Sequence, residues 1–352
     1  MSAATFSLNG RTVAFHPGKT ILEAARENGI HIPTLCFLKG ITPSGACRIC
    51  VVEVEGARTL VAACSTPVAP DMRVFTDTPR VQAARRLNTE LLLSAGRHDC
   101  LICEANGNCT LQELAYRYKV DGSSFRKKED FYPIENINPF VIRDFSRCTL
   151  CGRCVQACNQ LVVNRAISHG YRGKDSKIIA GADAAYHESD CVFCGQCVEV
   201  CPTGALTEKK ATGMARVWET KKIRTTCPYC GVGCQMWLHV KEDRIVKVTA
   251  VEGAAPNDGR LCVKGRFGYD FIYSDERLTT PLIRENGEFR KASWEESLDL
   301  VASRFKEIIA RHGADAIAGV SCARSINEDS YQMQKLFRAV LGTNNIDHCA
   351  RT

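Results

Sequence analysis

All but two of the 21 cysteines in this 352-residue chain fall into five groups before position 263, and any fold it adopts must gather those groups around something that binds thiolates. The groups are Cys36, Cys47, Cys50 and Cys64; Cys100, Cys103 and Cys109; Cys148, Cys151, Cys154 and Cys158; Cys191, Cys194, Cys197 and Cys201; and Cys227, Cys230, Cys234 and Cys262. Disulfides do not explain such a density at this length, whereas short fixed spacings are what metal-ligand sets show. The pattern Cys-x2-Cys-x2-Cys-x3-Cys occurs twice, at 148–158 and 191–201. It suits a pair of iron–sulfur cubanes in which three cysteines hold one cluster and the fourth crosses to the other. Cys148, Cys151, Cys154 and Cys201 are therefore expected around one cluster, and Cys191, Cys194, Cys197 and Cys158 around its neighbour. Cys322 and Cys349 stand apart and read as small buried thiols.

Bulk composition narrows the classes. With 45% hydrophobic and 24% charged residues the chain is globular, and its length suggests about two to three domains. Each cluster domain would have a small core, so iron–thiolate bonds must carry much of its folding energy. Met1–Gly10 has no basic region leading into an apolar stretch and no twin arginine. No run of about 18 apolar residues follows, so the expectation is a cytoplasmic protein without membrane insertion. The net charge of +7 would suggest nucleic acid. Clusters held by four thiolates carry about two negative charges each, which offsets it, and no basic stripe interleaved with aromatics remains to favour a nucleic-acid partner.

The order of elements is also legible. Thr5–Leu8, the pair Asn9-Gly10 and Arg11–Phe15 predict a tight hairpin. Thr20 can cap a helix carrying Ile21, Leu22, Ala24 and Ala25, which Asn28-Gly29 ends. Strands at 51–54 and 60–63 and a cysteine-bearing loop complete a β-grasp pattern, and a helix is expected over 79–95. Residues 120–138, polar and broken by Gly122 and Pro133, read as a connector. Beyond 280, a helix at 294–311, a strand at 314–320 and a helix at 327–341 predict the start of an α/β domain.

The first set has spacings of ten, two and thirteen residues, which suits [2Fe–2S], with the 45–50 loop wrapping one iron and Cys36 and Cys64 closing the other. A four-thiolate zinc site is the competing reading. The second group has three cysteines, so a cubane there needs a fourth ligand, and His98 is the nearest candidate. Gly152 and Gly195 free the backbone to aim amides at sulfur, and Gly231 and Gly233 permit a tight turn in Cys227-Pro228-Tyr229-Cys230-Gly231-Val232-Gly233-Cys234. Cys262-Val263-Lys264-Gly265-Arg266 follows downstream.

These motifs carry a resemblance. The first set is similar to that of complex I and hydrogenase electron-input domains. The 227–266 motifs resemble the cluster domain of molybdenum or tungsten bis-pterin oxidoreductases, formate dehydrogenases in particular, and the likeness runs on through Gly342-Thr343-Asn344-Asn345-Ile346-Asp347-His348-Cys349-Ala350-Arg351-Thr352. The resemblance implies an α+β multidomain chain. Its parts would be a [2Fe–2S] β-grasp domain at 1–78, a His/Cys cluster domain at 79–119, a connector at 120–138, a two-cluster ferredoxin domain at 139–210, a pterin-oxidoreductase [4Fe–4S] domain at 220–278 and the start of the α/β pterin domain at 279–352. It implies one [2Fe–2S] and four [4Fe–4S] clusters, a molybdenum or tungsten bis(pterin guanine dinucleotide), and formate/CO2 interconversion.

In the same family Lys264 would relay electrons between cluster and pterin, while Asn327 and Glu328 would lie near the pterin, a helix start being their alternative reading. The histidine of the second cluster sits four residues before its first cysteine in related hydrogenase and complex I subunits, which is Gly96 here, so His98 departs from that pattern. The tail in formate dehydrogenases runs into a selenocysteine or cysteine and then a catalytic histidine. The expectation is that an in-frame UGA was read as a stop here, leaving the electron-transfer half without catalytic residues. An NAD(P)-linked flavoprotein or a hydrogenase module is the implied electron partner. A non-catalytic iron–sulfur electron carrier and a hydrogenase- or complex I-type subunit are the alternatives.

Overall fold

Asn9 and Gly10 both take left-handed backbone, with φ of 53° and 81°, and close a hairpin between β1 (Ala4–Leu8) and β2 (Arg11–Phe15). This computed structural model describes residues 4–126 and 128–349, so the last three residues of the tail quoted above lie outside it. Two units are distinguished, 1–221 with 240–247 and 222–239 with 248–352.

In the first unit Thr20 and Glu23 form a reciprocal capping box on α1 (Ile21–Glu27). Strands β3 (Val51–Val54), β4 (Val61–Ala62) and β5 (Arg73–Phe75) complete a five-stranded sheet in the order β2-β1-β5-β3-β4. The short β5 has no counterpart among the expected strands; it runs parallel to β1 and antiparallel to β3, as the spine of the β-grasp. Phe6, Leu8, Ile21, Leu22, Val52 and Val74 fill the core together with Cys50 and Cys64, so the first cysteine set is anchored directly to packed side chains. Thr78 and Pro79 start α2 (Pro79–Ser94). Buried Arg85 ties that helix to β3 through the Val51 carbonyl at 2.8 Å. A second core forms where Leu111 and Leu114 of α3 (Thr110–Arg117) meet Leu35 and Ile49.

The connector is anchored at several points: Lys128 Nζ and the Tyr132 hydroxyl donate to the Lys174 and Asp175 carbonyls at 2.7 and 2.8 Å, and Glu135 holds its far end. The Glu135 backbone bridges Arg143, and its carboxylate pairs with the buried Arg143 guanidinium. Beyond it come β6 (Val141–Arg143), α4 (Arg153–Gln156), β7 (Ile167–Gly170), β8 (Lys177–Ala180), α5 (Gln196–Glu199) and β9 (Leu206–Glu208). Strands β6 and β9 pair antiparallel, closing the segment end to end, and the β7–β8 hairpin is the insertion between the two repeats.

The second part of the chain contributes a sheet in the order β10-β11-β12 from β10 (Lys221–Thr226), β11 (Gln235–Lys241) and β12 (Arg244–Ala250). Next come α6 (Val263–Phe267) and a hairpin of β13 (Leu282–Glu285) and β14 (Glu288–Lys291). Helix α7 (Trp294–His312) is capped by Ser293 and buries none of its residues. Strand β15 (Gly319–Cys322), α8 (Asn327–Lys335) with its wider continuation Leu336–Leu341, and β16 (Ile346–Cys349) make a parallel β-α-β unit. The strand expected over 314–320 begins only at Gly319. Residues Ala314–Ala316 form a 3-10 turn, held where Thr343 Oγ1 donates to Asp315 Oδ1 (2.7 Å) and Asn345 Nδ2 to the Asp315 carbonyl (2.8 Å). No helix among the described residues is long and apolar enough to cross a membrane.

A Cβ at Gly319 would overlap the ring of buried Phe337. Gly319→Ala is expected to lower the stability of this β-α-β unit by about 1–3 kcal/mol, read as a lower midpoint in urea, because the buried ring must shift to admit the methyl group. The expectation that Cys322 and Cys349 are buried fails: both are exposed, since β15 and β16 form a two-stranded sheet with no third strand among the described residues.

Candidate iron–sulfur centres

The first four cysteines converge on the β-grasp loop. The Cys36 amide donates to Cys47 Sγ at 3.4 Å. Gly45, at φ 61°, lets the loop turn so that its own amide faces Cys64 while those of Ala46 and Ile49 face Cys36 and Cys47. The thiols meet as two pairs, Cys36 with Cys47 and Cys50 with Cys64. Within each pair one thiol falls, Cys36 to about 5 because of the Cys47 thiol and Cys64 to about 7 because of the Cys50 thiol. Their partners Cys47 and Cys50 are pushed up by the same contacts and by burial. Cys47 thus points back at the Cys36 amide, and the thiols contact each other first with second and third with fourth rather than inner with inner and outer with outer.

In the second group Cys100 begins a 3-10 turn and Cys109 precedes α3, and burial pushes the Cys109 thiol up. Cys100, Cys103, Cys109 and His98 line one cavity with Arg147, Thr203 and Gly204. His98 Nε2 lies 2.9 Å from the Leu93 carbonyl. The family's histidine position, Gly96, cannot carry a side chain here, because a Cβ would stand 2.6 Å from the Ser146 carbonyl oxygen. Three residues that spacing did not reveal shape this cavity. Arg147 bonds Asp144 at 2.7 Å and reaches the Cys103 sulfur. Arg216 donates to the Cys103 and Leu101 carbonyls at 2.7 and 2.9 Å. Gly204 makes room for Cys103, whose sulfur would lie 2.5 Å from a Cβ there.

The two repeats interleave. Cys148, Cys151, Cys154 and Cys201 line one cavity, and Cys158, Cys191, Cys194 and Cys197 line the next. The backbone repeats too: Leu150 and Phe193 take φ of 53° and 50°, and Gly152 and Gly195 take 76° and 71° to open α4 and α5. Tyr186, fully buried, borders both cavities, with its hydroxyl 4.0 Å from Cys197 Sγ and the Arg143 guanidinium 4.2 Å from its ring centroid. Burial, then neighbouring cysteines, pushes Cys148 and Cys197 up to about 12, and burial pushes Cys151 up to about 11. Crowded buried thiols can ionise together only if a cation offsets their charge, and iron bound among them would do so. The donor sets therefore fit clusters.

Cys227, Cys230, Cys234 and Cys262 form the fifth set. The Cys227 amide donates to the Cys234 carbonyl at 2.8 Å, and burial followed by the other thiols raises Cys227 and Cys234. Gly265 brings α6 against Cys227, its hypothetical Cβ 3.3 Å from that sulfur. Asn327 Nδ2 donates to the Gly231 carbonyl at 2.7 Å, and a Cβ on Gly231 would sit 2.7 Å from Asn327 Oδ1. Asn327 is the first residue of α8, whose N-cap position is held by Ile326 with no side-chain cap, and its own side chain is spent on the cysteine loop. Lys264 and Glu328 are exposed.

Residues 2–79 match the family described as a 2Fe-2S iron-sulfur cluster binding domain, and 85–124 the NADH-ubiquinone oxidoreductase-G iron-sulfur binding region. Residues 147–205 match a 4Fe-4S dicluster domain, 220–274 the molybdopterin oxidoreductase Fe4S4 domain and 277–352 molybdopterin oxidoreductase. The chain is 38% identical to the alpha subunit of the NADPH-Fe(3+) oxidoreductase of Geobacter sulfurreducens over 99% of its own length and 40% of that protein's. It is 36% identical to a G-type subunit of the NADH-quinone oxidoreductase of Rhizobium meliloti (98% and 40%) and 35% identical to "Putative formate dehydrogenase YrhE" of Bacillus subtilis (98% and 39%). It spans about 40% of the length of these relatives. A chain in the crystal structure of NAD+-reducing [NiFe]-hydrogenase in the H2-reduced state superposes with a TM-score of 0.56 at 33% identity, over 61% of this chain and 92% of that one.

Proposed function

We propose, from the premise that this chain belongs to the molybdopterin oxidoreductases with iron–sulfur domains and is related to G-type subunits of NADH-quinone oxidoreductase and to proteins named as formate dehydrogenases, that it is the electron-transfer part of a formate dehydrogenase. The observation that carries this reading is the fifth cysteine set joined, through Asn327 and Gly231, to a β-α-β unit that matches molybdopterin oxidoreductase. Bound clusters would pass single electrons, and a pterin-held molybdenum or tungsten would take two electrons from formate as CO2 forms.

The chain's own residues do the rest. They would hold one [2Fe–2S] and four [4Fe–4S] clusters in the segments 1–78, 79–119, 139–210 and 220–278, and aim amides at sulfur. Lys264 and Glu328 are proposed to face the pterin, and Asn327 to position the cysteine loop. An NAD(P)-linked flavoprotein or a hydrogenase module would receive the electrons.

His98 is proposed as the fourth ligand of the second cluster. With Nε2–H donated to Leu93, Nδ1 is the ring's acceptor nitrogen. His98→Ala is expected to remove the EPR signal of that cluster, and His98→Cys to restore one at lower potential, because a neutral donor becomes an anionic one. An unchanged spectrum in His98→Ala would overturn the assignment. Arg147→Met is expected to lower the potential of the same cluster by on the order of 50 mV, read by EPR-monitored titration, since a cation beside the Cys103 sulfur favours the reduced state.

A second reading, an electron-input component of the NADH-quinone oxidoreductase G type in which formate has no part, is favoured by the match at 85–124. Protein carrying the rest of the molybdopterin oxidoreductase domain to the relatives' full length, purified anaerobically with its native partners, separates the two. Formate bleaching the cluster absorption supports the first reading, and bleaching by NADH or NADPH with none by formate supports the second.

A further inference from the structure

Tyr186 belongs to neither cysteine repeat, yet it stands in the wall shared by the cavities of Cys148 and Cys191 and is 1% exposed. The connector, β6 and β8 together fix its ring. Tyr186 opens the 3-10 turn Tyr186–Glu188, and its amide donates to Glu135 Oε1 of the connector at 3.3 Å. Glu135 Oε2 accepts from Arg143 Nε of β6 at 2.9 Å. The Arg143 guanidinium lies over the Tyr186 ring, 4.2 Å from its centroid, and Arg143 Nη1 donates to the Ile178 carbonyl of β8 at 3.4 Å. Held in this way and shut off from solvent, the Tyr186 hydroxyl donates to Cys197 Sγ at 4.0 Å. We propose that Tyr186 sets the reduction potential of the cluster on Cys158, Cys191, Cys194 and Cys197 by directing its hydroxyl hydrogen at the Cys197 sulfur.

The proposal rests on the reading of these two cavities as cubane sites. A buried phenol keeps its hydrogen, because its anion is the costlier species away from water, so the hydroxyl acts as a donor. A thiolate on iron carries part of the cluster's negative charge and accepts that hydrogen more strongly than a thiol does. Reduction adds one electron to the cluster, and the O–H dipole then favours the reduced state over the oxidised one, which raises the potential. In the neighbouring set the Thr149 hydroxyl faces Cys151. Each cubane thus has a hydroxyl of its own, and loss of the one on Tyr186 alters the hydrogen bonding of one cluster alone. Glu135 and Arg143 act through Tyr186 as positioning residues, which gives the connector a part in the electron path.

The test is stepwise reduction of the full chain, purified anaerobically with its clusters and followed by EPR, the signal of interest being the one that Cys191→Ala removes. Tyr186→Phe keeps the ring beneath Arg143. It is expected to lower the midpoint of that signal by about 59 mV, roughly a tenfold shift in the one-electron equilibrium, and to leave in place the signal that Cys148→Ala removes. 3-Fluorotyrosine installed at position 186 is a stronger donor of nearly the same shape and should move the midpoint upward, which altered packing would not do. This second measurement decides the question if the Phe variant takes up no iron at that site: an unmoved midpoint overturns the proposal. Equal midpoints in the unaltered chain and the Phe variant, or one shift common to both cubane signals, would overturn it while leaving the two-cluster reading intact. An unaltered chain with full iron but without two cubane signals from this segment would overturn that reading, and the proposal with it.

Discussion

Cys201→Ala is expected to abolish the cubane whose other three ligands, Cys148, Cys151 and Cys154, lie in the preceding repeat, and to spare the one beside Cys191. Cys158→Ala should do the reverse. The expectation rests on the interleaving of the two sets: each cavity takes three thiols from one repeat and the last thiol of the other. Alanine leaves an iron corner without its thiolate among buried neighbours, and loss of about four irons and one EPR signal per substitution is the expected scale. Spectra of Cys148→Ala and Cys201→Ala should then coincide, and spectra of Cys191→Ala and Cys158→Ala should coincide with each other. Coincidence of Cys201→Ala with Cys191→Ala would instead mean that each repeat holds its own cluster.

Removal of iron is expected to unfold the chain unevenly. Between Val141 and Glu208 the secondary structure consists of strands of three or four residues and helical runs no longer than the nine residues Arg153–Leu161, too short to be stable alone. Thiolate–metal bonds in small domains are worth on the order of 10 kcal/mol, so chelation should melt this segment. The β-grasp part has its own core of Phe6, Leu8, Ile21, Leu22, Val52 and Val74 and should keep much of its protection. Hydrogen exchange before and after anaerobic chelation reads the contrast directly. Equal loss of protection in both segments would mean that the sheet alone does not hold the N-terminal part.

Much of this arrangement is legible in the residues, wherever the signal is local. Asn9-Gly10, the Thr20 and Glu23 box and the helix cap at Thr78 each depend on neighbours a few positions away, and each element forms where those neighbours place it. The grouping of the eight thiols at 148–201 is legible because their spacing reflects the shape of the object they surround. Features that depend on distant partners are not. Strand β5 is three residues long and exists because β1 and β3 flank it. Arg147 is one surface-type residue among many until folding sets it beside Cys103, and Gly204 has meaning only because a sulfur lies where its side chain would be. The same holds for Cys322 and Cys349, whose exposure depends on what covers β15 and β16 rather than on their own chemistry.

On the proposed function, the five cysteine sets would hold five clusters serving as one electron path. EPR-monitored redox titration of the anaerobically reconstituted chain, with iron counted on the same sample, tests it most directly. About 18 irons per chain are expected, with one rhombic signal of [2Fe–2S] type and four further signals of cubane type, each appearing at its own potential. Zinc in place of iron in any set, or fewer than five reducible centres at full occupancy, would contradict it.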